Sequence, residues 1–483
     1  MSIDIGFAKK NDYIKLIVDV YKSKFNYPEK GIESTLIEFD NATINQFGVF
    51  IEYPYVEKYY RDTYYNYLST KHQDYFRNTI RVSFFKDEIK QEDFRKKERI
   101  DILRDEFLGF LTLRPSPDSI ISRSVISPKL LKENSFKCCQ ATFSVEVNGV
   151  KLEIDGFPFC SQDGEVLSCA ETTILLLLEY FGTKYPEYKP VLPSNIISKL
   201  SQRAHERQIP TSGLNTEDIS FVLKEYGFGT KVYYKKQYEK TFRQIFNAYV
   251  DSGIPFIAAL ENGKIGHAIL VMGREYDFNE SYKFVIKSRF TAPMDFSEGI
   301  NKYVVMDDNK FPYRLVPFDN PTFDYLDINF EGCKIASIVV PLYPKIYVDA
   351  ELALKSVSLI LNQKQLISIN DFYIIKIFIA STRSFKAEIC SNEDLDEDLK
   401  DLIINKHMPK FIWISELYTK EALKNNNPFG CIVVDATEPN VEKNKILFIL
   451  YDNYCLTWNA EANTFKKSSV DLKNFHSFAH NLQ

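Results

Sequence analysis

Phe157-Pro158-Phe159-Cys160-Ser161-Gln162-Asp163-Gly164-Glu165-Val166-Leu167-Ser168-Cys169-Ala170-Glu171-Thr172-Thr173 leads without a break into Ile174-Leu175-Leu176-Leu177-Leu178, and far downstream stands Gly266-His267-Ala268-Ile269-Leu270-Val271. Ser168 is a good helix cap, so a helix is expected from Ala170 to Phe181, with Gly182 as its stop. Its stretch from Ile174 to Leu178 is apolar on every side, the pattern of a helix buried within a domain. Cys169 then sits at the helix start. Only a thiolate attacks carbonyls, and both the unpaired N–H groups of a helix N-terminus and a nearby imidazolium favour that anion. His267, expected on a β-strand, is the candidate partner. Gln162, seven positions before Cys169, offers a side-chain amide to the oxyanion of a tetrahedral intermediate, together with the backbone N–H of Cys169.

The same residues have plainer readings. A cysteine beside an apolar helix is ordinarily buried and inert, a role open to Cys139 and Cys160. A histidine within an Ile-Leu-Val strand is ordinarily a satisfied core residue. Taken together, the glutamine, the helix start and the Gly-His strand favour catalysis for Cys169 and His267. Arg114 and Arg123 could hold a substrate carboxylate through a bidentate contact, but a structural salt bridge is the expected role.

With 483 residues the chain exceeds a single ordinary core. Three soft-edged regions are expected: a mixed α/β region over 1–150, the chemistry-bearing region over 151–320, and a mixed α/β region over 321–483. In the first, aromatics at helical spacing (Val56, Tyr60, Tyr64, Leu68) predict a helix over Tyr55 to Leu68. Phe107 to Leu113 and Ile120 to Pro128 read as extended chain around a proline turn. In the second, helices are expected over Pro193 to Arg207 and from a Thr216 cap to Tyr226, with a turn at Pro210 to Gly213. Strands of an antiparallel sheet are expected over Ile254 to Leu260, Ile265 to Gly273, Tyr282 to Ile286 and Lys302 to Met306. In the third, Phe372 to Ala380, Cys431 to Asp435 and Ile446 to Tyr451 read as strands and the acidic Asn392 to Lys406 as a helix.

A formal net charge of −5 with no long Lys/Arg block provides no field for gathering nucleic acid. No apolar stretch approaches the length of a membrane span, and Met1 to Asn11 lacks the pattern of a secretory signal, so a cytoplasmic location is expected. Eight cysteines without a C-x-x-C pair argue against a zinc site or a disulfide framework, and six histidines at no metalloprotease spacing argue against another metal. No cofactor is expected.

A helical segment with a thiol at its first turn, followed by an antiparallel sheet carrying a histidine, resembles the papain-like cysteine peptidases. Pro158 to Asp163 with Ser168 to Leu176 is similar to the signature of the peptidase-like branch that processes bacteriocin double-glycine leaders. The similarity continues through Gly213-Leu214, Gly253-Ile254-Pro255-Phe256 and Gly266 to Gly273, and leaves the flanks unaccounted for. The resemblance implies an α+β chain with a papain-like catalytic domain flanked by mixed regions. Within that domain it implies Cys169 as nucleophile, His267 as general base and then acid, and Gln162 as oxyanion donor. The family would place the acid that orients the histidine just after the next strand, where this chain has Lys287 and Ser288. The acidic pair Asp307-Asp308 instead follows the strand ending at Met306. Asp307 is the expected third member, because the family aspartate comes first at a strand end; strand alternation predicts that at most one of the two acids reaches His267. The implied activity is hydrolysis of a peptide or isopeptide bond in a protein substrate, with a regulatory protein partner possible through the flanks. Acyl transfer through the same acyl-enzyme, or an inactive scaffold binding a partner, are the alternatives.

Overall fold

The computed structural model describes residues 4–483 apart from 11, 26–28, 117–118, 205–206, 210–212, 276–292, 368, 370–372, 441–444 and 460–463. The strand expected over Tyr282 to Ile286, the Lys287-Ser288 position and most of the 210–213 turn lie outside the described residues.

Three seven-stranded sheets carry the fold. The first takes β1 (Asp4–Lys9), β2 (Gly48–Tyr55), β3 (Thr79–Phe85), β4 (Phe107–Leu113), β5 (Ser124–Ile126), β7 (Ala141–Val147) and β8 (Val150–Phe159), in the order β1-β2-β3-β4-β5-β8-β7. The second takes β6 (Phe136–Cys138), β9 (Gly229–Tyr234), β10 (Phe256–Glu261), β11 (Gly266–Glu275), β13 (Lys302–Met306), β14 (Arg314–Pro317) and β15 (Lys334–Leu342). Its order is β14-β13-β11-β10-β15-β9, with β6 also on β11. The third joins β12 (Met294–Asp295) in parallel to β16 (Ile374–Ser381), then runs antiparallel through β17 (Phe411–Tyr418), β18 (Gly430–Asp435), β19 (Ile446–Tyr451), β20 (Tyr454–Asn459) and β21 (Thr464–Ser469). Helices α1 (Tyr13–Phe25), α2 (Glu29–Ala42), α3 (Lys58–Asn66) and α4 (Lys97–Glu106) belong to the first part of the chain. Next come α5 (Cys169–Lys184), α6 (Pro193–Ser201), α7 (Thr216–Glu225) and α8 (Phe242–Asp251). Helices α9 (Ala350–Leu361), α10 (Thr382–Ser391), α11 (Glu397–Asn405) and α12 (Lys420–Lys424) accompany the third sheet. The chain is α+β, its sheets antiparallel apart from the β12–β16 pair and its helices interspersed among the strands. No helix among the described residues is long and apolar enough to cross a membrane.

The sheets cut across the divisions expected from sequence. β8 starts at Val150 and completes the first sheet, and β15 belongs to the second sheet although it lies beyond residue 320. One apolar core runs continuously under the first two sheets and one face of the third. A second cluster fills the other face of the third sheet beneath α10 and α11. Strand alternation makes that division: Ile377 and Ile379 of β16 join the first core, Phe378 and Ala380 the second.

Several local expectations are corrected. Helix α5 does not stop at Gly182 but continues to Lys184. A Cβ at Gly182 would lie 2.4 Å from the Pro190 nitrogen, so this glycine is required by a crossing chain and not by a helix end. Asn215, not Thr216, caps α7, its Oδ1 accepting the Asp218 N–H at 2.8 Å. α3 is shorter than its aromatic spacing suggested. Buried Glu57 caps it through the N–H groups of Tyr59 and Tyr60, both at 2.7 Å, and Val56 stays exposed before the helix.

Arg123 answers to a buried acid, as the plainer reading expected. Its Nε donates to Glu179 Oε1 of α5 at 2.5 Å, Lys58 Nζ reaches the same oxygen at 3.1 Å, and the Tyr59 hydroxyl donates to Oε2. Burial would raise the Glu179 carboxyl, but the Arg123 and Lys58 charges hold it below its ordinary value. This pair pins α5 to the first sheet. Arg123→Met leaves Glu179 buried with one half-exposed lysine, and is expected to cost about 3 kcal/mol in chemical denaturation at pH 7. Because the depressed carboxyl contributes above its unfolded pKa, the deficit should shrink as pH falls through the native value. A deficit that does not change with pH would exclude this account.

Candidate active site

The loop that delivers Cys169 is held at both ends. Strand β8 ends at Phe159 beside Ser124 of β5, and the hydroxyl of Tyr313 locks it there, accepting the Phe157 N–H at 2.7 Å and donating to the Ile126 carbonyl at 2.8 Å. Buried Arg114 then clamps the backbone: Nη2 donates to the carbonyls of Ser161 at 3.0 Å and Gln162 at 2.6 Å, and Nε to that of Ser119 at 2.8 Å. Its guanidinium is thus committed to the chain itself and not to a substrate carboxylate. Beyond Gln162, Asp163 Oδ1 gathers the N–H groups of Glu165, Val166 and Leu167 within 3.0 Å, closing the loop before Ser168.

At Ser168 the helix begins. The Glu171 carboxylate accepts the Ser168 N–H at 3.1 Å and its hydroxyl as well, one arm of a capping box. Cys169 is the first helical residue and its N–H lies outside the intrahelical ladder. Cys169 is partly exposed and its sulfur accepts the Ala268 N–H at 3.4 Å, so α5 and β11 meet at this thiol. Among the other free cysteines, Cys138, Cys139, Cys160, Cys333, Cys431 and Cys455 are buried and Cys390 is exposed. Burial pushes the thiols of Cys139 and Cys160 up to about 11 and about 12.

Strand β11 is held between β10 and β13. It pairs Leu270 with Met306, and that register, continued past the end of β13, sets His267 beside the turn that follows Met306. Farther along, a Cβ at Gly273 would lie 2.2 Å from the Lys137 carbonyl, so the glycine is what allows β6 to close on β11.

His267 is buried, with 5% of its surface exposed. Its Nε2 lies 3.0 Å from Asp307 Oδ1, which leaves Nδ1 as the ring nitrogen for the thiol. Burial works against the charged ring. The Asp307 carboxylate and hydrogen bonding with Cys169 outweigh it, and the imidazole is held well above its ordinary value. Asp307 is itself saturated: Arg314 Nη1 donates to Oδ2 at 2.6 Å, the Asn309 N–H to Oδ1 at 3.2 Å, and the Tyr325 hydroxyl lies 2.9 and 2.8 Å from the two oxygens. Burial would raise this carboxyl, but the His267 and Arg314 charges keep it below the usual carboxylate range.

The sequence reading of the acids needs one correction. Both approach the ring, Asp308 Oδ1 standing 3.9 Å from Nε2. The pair follows the last residue of β13, so the alternation that would send them to opposite faces has already ended. Among the described residues neither Asp308 oxygen has a hydrogen-bond partner. Burial pushes its carboxyl up to about 7; the His267 charge opposes this and the Asp307 charge adds to it. His267, Asp307 and Asp308 each place one ligand atom within 4.8 Å of the others, the spacing of a metal site. Asp307 already neutralises the Arg314 guanidinium, so a cation there would have only Asp308 as an uncommitted anion.

Asp308→Asn is therefore expected to raise stability at pH 8. An acid whose folded pKa exceeds its unfolded value of about 4 destabilises the native state increasingly across that interval and fully above it. The gain should be on the order of 2 kcal/mol at pH 8 and should vanish below about pH 4 in urea titrations. Equal stability of the two proteins at pH 8 would rule it out.

Gln162 is brought to the acid turn, its Nε2 donating to Asn309 Oδ1 at 2.6 Å. A carboxamide has two N–H donors, so the second remains for an oxyanion. Residues not foreseen from sequence are Arg314, Tyr325, Asn309 and Phe330. Tyr325 and Phe330 come from the 318–333 connection between β14 and β15; Phe330 stands edge-on to the imidazole at 5.4 Å between centroids. The same connection exposes Phe323, Leu326 and Ile328. No periodicity or spacing marks it in sequence; its only signal is aromatic residues alternating with acids. No protein-family model matches the chain, and no curated protein matches it significantly.

Proposed function

We propose that this chain is a cysteine peptidase-like hydrolase with a papain-like catalytic centre, cleaving a peptide or isopeptide bond in a protein substrate. The observation that carries the reading is the meeting of α5 and β11: a partly exposed thiol at a helix N-terminus, beside a buried imidazole whose far nitrogen is bonded to a carboxylate. Asp307 accepts the Nε2 proton and so leaves Nδ1 free to take the proton of the Cys169 thiol. The sulfur attacks the scissile carbonyl carbon, and the oxyanion is met by the Cys169 N–H and the free N–H of Gln162. His267 returns its proton to the departing amine as the C–N bond breaks, leaving a thioester. Water then adds to the thioester while His267 takes its proton, the C–S bond breaks, and the acid product leaves with the thiol restored.

Phe323, Leu326 and Ile328, exposed on the same connection that brings Tyr325 and Phe330 to the histidine, suit a polypeptide better than a small polar substrate. A peptide library incubated with the protein and read by mass spectrometry tests the reaction. Products gaining water support hydrolysis; products gaining an added primary amine would shift the assignment to acyl transfer. No cleavage, with Cys169 no faster in alkylation than exposed Cys390, would leave a partner-binding scaffold.

A further inference from the structure

The far end of α5 opens on a second feature, a cavity of about 230 Å³ between the second sheet's surroundings and the third sheet. Its walls include Phe181, Ile254, Ile346 and Ile379, with Lys184 of the last turn of α5 also lining it. The Lys184 ammonium donates to the Tyr180 hydroxyl at 2.9 Å and lies 5.2 Å from the centre of that ring. Among the described residues no carboxylate stands within ion-pair distance of it. The ionisable groups around it, the Tyr180 hydroxyl and the thiols of Cys138 and Cys139, are all kept protonated by burial, so they supply no counter-charge. A half-buried cation with a hydroxyl but no anion for a partner is incompletely compensated, and the cavity that Lys184 lines is where the missing anion belongs.

Two more groups face the same space. Ser381 and Ser384 open α10, Ser381 capping it by accepting the Ser384 N–H at 3.0 Å, so the positive end of a ten-residue helix borders the cavity. His480 also borders it, but lies 3.9 Å from Glu388, and any charge it carries is shared there. One uncompensated charge calls for one negative charge. A phosphate dianion would exceed it, and the aliphatic and aromatic walls would leave a purely polar ion badly solvated. The volume lies below that of drug-sized pockets, which limits the ligand to a small molecule.

We infer that this cavity binds a small organic carboxylate, its anionic group on Lys184 and its hydrocarbon body among Phe181, Ile254, Ile346 and Ile379. The site stands apart from Cys169 and owes nothing to the reaction proposed there.

Thermal melting of the full chain with phenylacetate, hexanoate, benzyl alcohol or inorganic phosphate, each at roughly 10 mM, tests the site. The two carboxylates should raise the melting temperature saturably, and benzyl alcohol and phosphate should not. Lys184→Met removes the charge while keeping the stem and should weaken carboxylate binding at least about tenfold. Ser384→Trp, which fills the cavity and keeps the lysine, should do the same. The inference is overturned if neither carboxylate stabilises the protein, if phosphate acts as well as they do, or if either variant binds them as the parent does.

Discussion

If the proposed reaction is the right one, Cys169→Ala is expected to eliminate peptide hydrolysis, with a fall in kcat of at least about 10⁴-fold, while the thermal transition stays close to that of the parent. The expectation follows from position. The sulfur is partly exposed at the first turn of α5, so trimming it to a methyl group removes the attacking atom without opening a core cavity. The backbone donors around it remain, and with them whatever oxyanion stabilisation they provide, but no acyl-enzyme can form. Cys160→Ala is the matched control. That thiol is buried nine residues earlier, hydrogen-bonds carbonyls of Ile121 and Ser161, and should lose some stability but little turnover. Steady-state kinetics on one peptide, with calorimetry on each protein, separates the two. Activity surviving in the Cys169 variant, or lost equally in both, would end the assignment of the nucleophile.

Asp307→Asn should lower kcat by about 10³ to 10⁴-fold and change the pH profile as well. The asparagine matches the carboxylate in size, but it presents Nε2 with an amide that can stabilise either tautomer and no imidazolium. The His267 pKa then drops, because the Asp307 charge is the principal influence raising it against burial. The alkaline limb of kcat/KM, which reports loss of the protonated imidazole, therefore moves to lower pH in the variant. Stability changes with a definite sign. His267, raised in the native state, contributes fully below its unfolded value of about 6.5 and loses that contribution as pH rises through its native value. Asp307, depressed in the native state, contributes above about 4 and loses its contribution as pH falls through its native value. Parent and variant should thus differ most in urea denaturation between those limits, with Arg314 also left without its buried partner. A variant whose alkaline limb stays in place, whatever its rate, would refute the role of Asp307 in setting the imidazole.

Much of the site was legible in the chain before folding. Strands Phe107–Leu113, Lys302–Met306 and Ile446–Tyr451 lie where composition and alternation placed them, and Cys169, His267 and Asp307 are brought together as expected. These are local signals, a cap, an apolar helix and a β-branched run, each carried by the residues that obey it. The acidic pair was misjudged in one respect, because alternation was applied past the end of the strand. Gly182 misled for the opposite reason: an isolated glycine does not announce whether its missing side chain serves a turn or a neighbour, and here the neighbour is Pro190.

By itself the sequence determined where a thiol, an imidazole and a carboxylate would stand on their own elements, because periodicity and capping depend on residues a few positions apart. The tertiary structure alone decided what surrounds them. Arg314 and Tyr325 converge on Asp307 from the start of β14 and the connection after it, Arg114 grips the Gln162 carbonyl from the end of β4, and Arg123 crosses to Glu179 within α5. Such partners are chosen by the packing of sheets whose strands are distant in the chain. A charged side chain looks the same in sequence whether it ends in water, on a carbonyl or against a buried acid.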